Sequence, residues 1–207
     1  WKKLMADYDV PDWYIHSCLK IKYMFPKAHA VAYVLMAVRV AWFKVHQPLV
    51  YYATFFTLRT TVNEYETIVA GQQRILERLR DIQHRLSDNK LKSSVSNKEE
   101  ELISSLEVAY EMSVRGYKFA PLDLNLSLAT EYRLHPKDPK ALIPPFSILD
   151  GLGGNVANSI IEAREIKPFI SKEDVSTRTG LNNTHLKQFE RIGLLDHLDD
   201  ENQLSLF

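Results

Sequence analysis

Ile148-Leu-Asp-Gly-Leu-Gly-Gly-Asn-Val-Ala-Asn-Ser-Ile-Ile-Glu-Ala-Arg164 is the stretch from which the rest of the chain is best read. Gly151, Gly153 and Gly154 predict a tight turn, since glycine tolerates positive φ and lets a ligand approach the backbone. A helix starts straight after the turn, with Val156, Ile160 and Ile161 as its docking face. The first amides of such a helix have no internal partner, and its positive end suits an oxyanion. Leu149 and Leu152 are placed to anchor the turn. This is the pattern of a helix-hairpin-helix, which holds a nucleic-acid phosphate through main-chain N–H groups and reads no bases. An ordinary helix behind a glycine-rich loop is the competing reading.

Downstream, Ser171 is placed to cap a helix from Lys172, and Thr184 to cap another running to Ile192. Only Gly180 stands in the turn between them, so this second hairpin is expected to brace the first. Upstream, the segment from Tyr117 to Pro145 is rich in proline and extended, with short strands predicted near Thr130–Leu134 and Ala141–Ile143. Before it, helical periodicity dominates. Helices are expected over Asp12–Met24, from Pro26 to about His46, over Leu49–Leu58, over Glu64–Leu86, and from a Ser96–Glu99 capping box to near Gly116. On the second of these, His29, Tyr33, Met36 and Val40 fall on one face. The expected fold is mainly α: a helical segment over 1–116, a small helix-hairpin-helix domain over 117–198 with two short strands at the junction, and a tail over 199–207.

The chain has 207 residues with no formal net charge and 45% hydrophobic content, the composition of a soluble globular protein. Charge is unevenly spread, with eight basic residues against three acidic ones through Thr60. A basic first part fits local phosphate contact, and equally a solvated helix face. The lone Cys18 excludes an intrachain disulfide and any cysteine-based metal site. No signal peptide is visible, which points to the cytoplasm. The most apolar run, from Ala28 to Val38, is too short for a bilayer, so no membrane is expected. The start at Trp1 inside helix-like sequence suggests a piece of something larger.

Gln203-Leu204-Ser205-Leu206-Phe207 follows an acidic lead-in. Exposed leucine and phenylalanine in a tail imply a pocket that takes them, with Gln203 bonding at its rim. A tail folded back on its own domain is the alternative.

Three blocks resemble one family. Tyr23-Met-Phe-Pro-Lys-Ala-His-Ala-Val-Ala-Tyr-Val-Leu-Met-Ala-Val-Arg, followed by Ala41-Trp-Phe-Lys-Val-His-Gln-Pro, is similar to the fingers of bacterial replicative DNA polymerase III alpha subunits of the PolC type. The glycine block, continued by Ile161-Glu-Ala-Arg-Glu and Phe169-Ile-Ser-Lys-Glu-Asp, resembles that family's C-terminal duplex-binding domain. The ending resembles its sliding-clamp peptide. Between Asn63 and Lys98 the resemblance is loose.

The resemblance implies primer extension by nucleotidyl transfer, with Mg2+ held by palm carboxylates. No acidic cluster matching the palm motif is present, so this segment is expected to position substrates without performing chemistry, holding no catalytic residue, metal or cofactor itself. Lys27 and His29, in the family's Lys-Ala-His signature, would contact the incoming deoxynucleoside triphosphate, and Tyr33 would place its ring against the nascent base pair. Arg39, Lys44 and His46 are equally contacts to template or triphosphate, or a solvated face. The main-chain amides of Gly151, Gly153, Gly154 and Asn155 would grip the product of the primer–template duplex, with Lys172 and Lys187 as further phosphate contacts. Gln203, Leu204, Ser205, Leu206 and Phe207 would bind the sliding clamp, and other replisome subunits are implied as partners. A stand-alone clamp adaptor that binds DNA without catalysis, and a helical interaction protein whose glycine turn is only structural, are the other two readings.

Overall fold

Proline, glycine and capping residues divide the chain into ten α-helices and three short strands among the described residues, 1–20 and 26–201 of the computed structural model. The helices are α1 (Lys2–Asp7), α2 (Asp12–Lys20), α3 (Lys27–His46), α4 (Pro48–Leu58), α5 (Tyr65–Val69), α6 (Gln72–Ser87), α7 (Asn97–Val114), α8 (Gly154–Ile166), α9 (Lys172–Arg178) and α10 (Asn183–Arg191). The mainly α class expected from periodicity is the one observed. Met24, the predicted end of the helix starting at Asp12, lies outside the described residues.

Three boundaries differ from expectation for identifiable reasons. The helix expected over Glu64–Leu86 is two helices, because Gly71 sits at φ +94° between α5 and α6. The two strands expected at the junction are part of a three-stranded sheet. Lys118–Phe119 (β1) pairs in parallel with Ala141–Ile143 (β3), and β3 pairs antiparallel with Arg133–Leu134 (β2). A two-residue strand such as β1 is too short to show alternation in sequence. The cap of α10 is Asn182, whose side chain accepts from the His185 N–H at 2.9 Å, so the helix starts before Thr184.

Two compact units make up the chain, one over Trp1–His46 and the other from Gln47 onward. In the first, α3 buries none of its side chains, and Val34, Val38 and Trp42 stand among its exposed apolar residues. The apolar run of 28–38 lies within this 20-residue helix, which is long and apolar enough by length and composition to cross a membrane. The length argument against a span therefore fails, since the helix continues past Arg39 to His46.

The second unit has two apolar clusters. Tyr52 and Phe56 of α4, Ile75 and Ile82 of α6, and Leu102, Leu106 and Met112 of α7 pack with Phe119, Tyr132 and Leu142 of the sheet region. The Ser96 cap of α7 is as expected, with Glu99 closing the reciprocal bond to the Ser96 N–H. The other cluster joins Leu122, Leu124 and Phe146 to Leu149, Leu152, Ala157 and Ile160 of the hairpin, and to Val175, Phe189 and Leu195. Ile148 and Tyr65 touch the margins of this cluster, and Ile148 also packs against the first, which fixes the hairpin's base to the helices before it.

Candidate nucleic-acid interface

The hairpin is built from a one-turn 3-10 helix over Phe146–Ile148, a bend at Leu149–Leu152, and α8. Leu149 and Leu152 are buried, as anchoring requires, and the Leu152 N–H closes the bend on the Leu149 carbonyl at 3.1 Å. Gly151 takes φ +80°, a conformation that disfavours any side chain. Gly153 is the cap residue of α8 at φ −72°, and a Cβ built there meets nothing within 4 Å. Its glycine is therefore not demanded by the folded chain itself.

Gly151, Gly153 and Asn155 are exposed and Gly154 is partly so. No hydrogen bond from their amides to a described residue is present, and Gly153, Gly154 and Asn155 lie in the segment that opens α8. Together they present unpaired N–H groups at the positive end of a 13-residue helix. An anion placed there would meet donors that need no rearrangement.

The second turn is different. The Gly180 N–H donates to Ser159 Oγ at 2.8 Å, and that hydroxyl donates in turn to the Val156 carbonyl at 2.7 Å. Its glycine amide is thus used to hold α8, in keeping with a bracing turn. At the far end of α8, Arg178 donates to the Ala163 carbonyl, which also accepts from the Lys167 N–H, and to the Lys167 carbonyl at 2.7 Å. Arg164 donates to the carbonyls of Leu124 at 2.8 Å and Ser127 at 2.7 Å, and burial lowers the pKa of its guanidinium.

The predicted cations fall into two situations. Lys187 is exposed on α10 and has no ion-pair partner among the described residues. Lys172 instead pairs with Asp200 at 2.6 Å, a hydrogen bond that pushes the ammonium above its ordinary pKa and holds the carboxyl below its own. Two further cations beside the hairpin were not expected. Lys98 of α7 reaches Asp150 at 2.9 Å and lines a cleft with Asp150, Gly151 and Gly153. Arg191 pairs with Glu66 at 2.7 Å and lines a neighbouring cleft with Arg74. Lys98 lies 52 residues before Asp150, and nothing in local spacing signals that separation.

In the first unit, Lys27, His29 and Tyr33 all lie on α3, and the rings of His29 and Tyr33 stand 4.6 Å apart between centroids. Tyr33 is 68% exposed, so its ring is open to a stacking partner. Among the described residues no group of three or more His, Cys, Asp or Glu side chains is placed to hold a metal ion. Gln203, Leu204, Ser205, Leu206 and Phe207 lie outside the described residues.

Residues 116–204 match the family model for the helix-hairpin-helix motif. Over 207 residues, all of this chain, the sequence is 48% identical to DNA polymerase III PolC-type of Bacillus subtilis (strain 168), of which it spans 14%. It is 46% identical over 203 residues, 98% of the chain, to DNA polymerase III PolC-type of Streptococcus agalactiae serotype III (strain NEM316), of which it spans 13%. A third relative, DNA polymerase III PolC-type of Halalkalibacterium halodurans, is 47% identical over 207 residues.

Proposed function

Because this chain is homologous along its whole length to a segment of PolC-type DNA polymerase III, we propose that it is the substrate-positioning part of a bacterial replicative polymerase. On this reading the polymerase performs nucleotidyl transfer in the cytoplasm, with Mg2+ and the catalytic carboxylates supplied by the rest of the polypeptide. The segment alone is then inactive, because the chemistry is done by residues outside it. The relatives' sevenfold greater length favours this reading over a stand-alone adaptor. It also supports a protein or nucleic-acid neighbour for the apolar surface of α3 in place of lipid, as does the interruption of that surface by Arg39 and Lys44.

The observation that carries the DNA-binding part is the hairpin's row of exposed, unpaired amides within the matched helix-hairpin-helix region. These take phosphate oxygens of the product duplex, and Lys187 of α10 supplies a further phosphate contact. Binding of this kind depends on the backbone and is indifferent to sequence. Lys27 and His29 hold the triphosphate of the incoming nucleotide and Tyr33 bears on the new base pair. The tail from Gln203 to Phe207 docks in the sliding clamp, within reach of other replisome subunits.

The test is duplex binding of the full chain at two salt concentrations, for the parent and for Gly153→Ala. The parent is expected to bind with an affinity that falls as salt rises, each neutralised phosphate adding about 0.9 to the slope of log K against log salt. Gly153→Ala is expected to weaken binding while leaving thermal stability intact, because the added methyl meets only the ligand. Flat, negligible binding by the parent overturns the proposal.

A further inference from the structure

His185 is buried, 7% exposed, and both of its ring nitrogens are used. It stands at the third position of α10, where Nδ1 accepts from the Asn182 N–H at 3.3 Å and completes a reciprocal cap. That acceptor role leaves the hydrogen of the neutral ring on Nε2. Nε2 lies 3.2 Å from the carbonyl oxygen of Gly151, 34 residues away, and donates to it. A cap residue at this position is ordinarily satisfied within its own helix. Here it reaches into the other hairpin.

The bond it makes there is placed with consequence. The Gly151 carbonyl and the Leu152 N–H belong to one rigid peptide plane. Leu149 O holds the N–H end of that plane at 3.1 Å, and His185 holds the carbonyl end. With both ends fastened, the plane cannot rotate about its flanking bonds, and the direction in which the chain leaves toward Gly153, Gly154 and Asn155 is set. Gly151 is also the residue with φ +80°, whose missing side chain gives the unrestrained backbone the most freedom. The single hydrogen bond from α10 thus acts at the softest point of the turn.

We infer that His185 is a positioning residue for the hairpin's phosphate grip: it touches no DNA, and it fixes the Gly151–Leu152 peptide so that the following amides are aimed before the duplex arrives. Fixing donors in advance lowers the ordering cost of binding. The inference rests on the duplex-binding reading above.

Three variants of the full chain separate this role from simple stability. His185→Asn retains a group near the Nδ1 position for the α10 cap but is too short to reach Gly151. His185→Gln carries an amide nitrogen where Nε2 stood and keeps the donor. Asn182→Ala weakens the α10 cap and leaves the Gly151 bond in place. His185→Asn is expected to lower duplex affinity roughly five- to tenfold, the equivalent of one hydrogen bond, with the salt slope unchanged because no charge is lost. Without DNA it is expected to speed hydrogen exchange at the amides of 153–155. His185→Gln restores most of both, and Asn182→Ala lowers the melting temperature without changing affinity. A parent chain that binds duplex, with His185→Asn as tight and as slowly exchanging as the parent, overturns the inference alone. A parent that does not bind duplex at any salt overturns the reading beneath it as well.

Discussion

Gly151 and Gly153 lie two positions apart and answer to different constraints. At Gly151 the backbone is left-handed, so Gly151→Ala is expected to cost about 1 kcal/mol of folding stability, read as a lower denaturation midpoint with or without DNA. At Gly153 the backbone is ordinary and the space is open, so its substitution is a probe of the ligand. A sequence shows two identical letters here; only φ tells them apart. Glu99 supplies a second residue-scale outcome. Hydrogen bonds from Arg85, then from the Ser96 N–H and from Arg78, hold its carboxyl at about 2, against an ordinary 4.5. A lowered folded pKa means the stabilisation is complete above pH 4.5 and is lost as pH falls from there toward 2. Urea unfolding at pH 7 and pH 3 should show a large drop for the parent, and a smaller drop from a lower start for Glu99→Gln.

Elements were legible where the signal is local. The Ser96–Glu99 box and the Ser171 cap each announce a helix start through the chemistry of neighbouring residues. The hairpin bend was legible too, because glycines and flanking leucines mark it within a few positions. What was not legible depends on distant pairing. Strand β1 exists because Ala141 and Leu142 lie beside it, and Lys98 joins the hairpin only through the packing of α7. Likewise Gly71 inside an amphipathic stretch reads as tolerable in a helix, while its left-handed φ makes it a break. At this scale Arg178 is the element-joining residue to test. It closes the end of α8 from α9 with charge-assisted bonds, so Arg178→Ala is expected to cost about 2 kcal/mol and to fray the last turn of α8, seen as faster exchange at Glu165 and Ile166.

For the molecule as a whole, α3 sets the solution behaviour. Its apolar side chains stand in solvent around the entire helix, and exposed apolar surface of this extent marks a place where something else packs. Expressed without its neighbours, the segment is expected to self-associate, with a weight-average mass in sedimentation equilibrium that climbs with concentration. Replacing Val34 with Glu and Val38 with Lys, an i, i+4 pair favourable to the helix, should leave helicity unchanged and make the mass climb less steeply with concentration. Equal association before and after would show that α3 is not the sticky surface.

One consequence follows from the hydroxyl of Ser159, which seals the second turn while the first stays open. Two similar turns treated alike would clasp both edges of a groove and pin the helix they hold. With one shut, the paired unit is lopsided, and on the proposed duplex-binding reading it leans on a single strand and leaves the opposite strand unheld. Such a one-sided rest would let a duplex screw past step by step, each successive phosphate taking the place of the last.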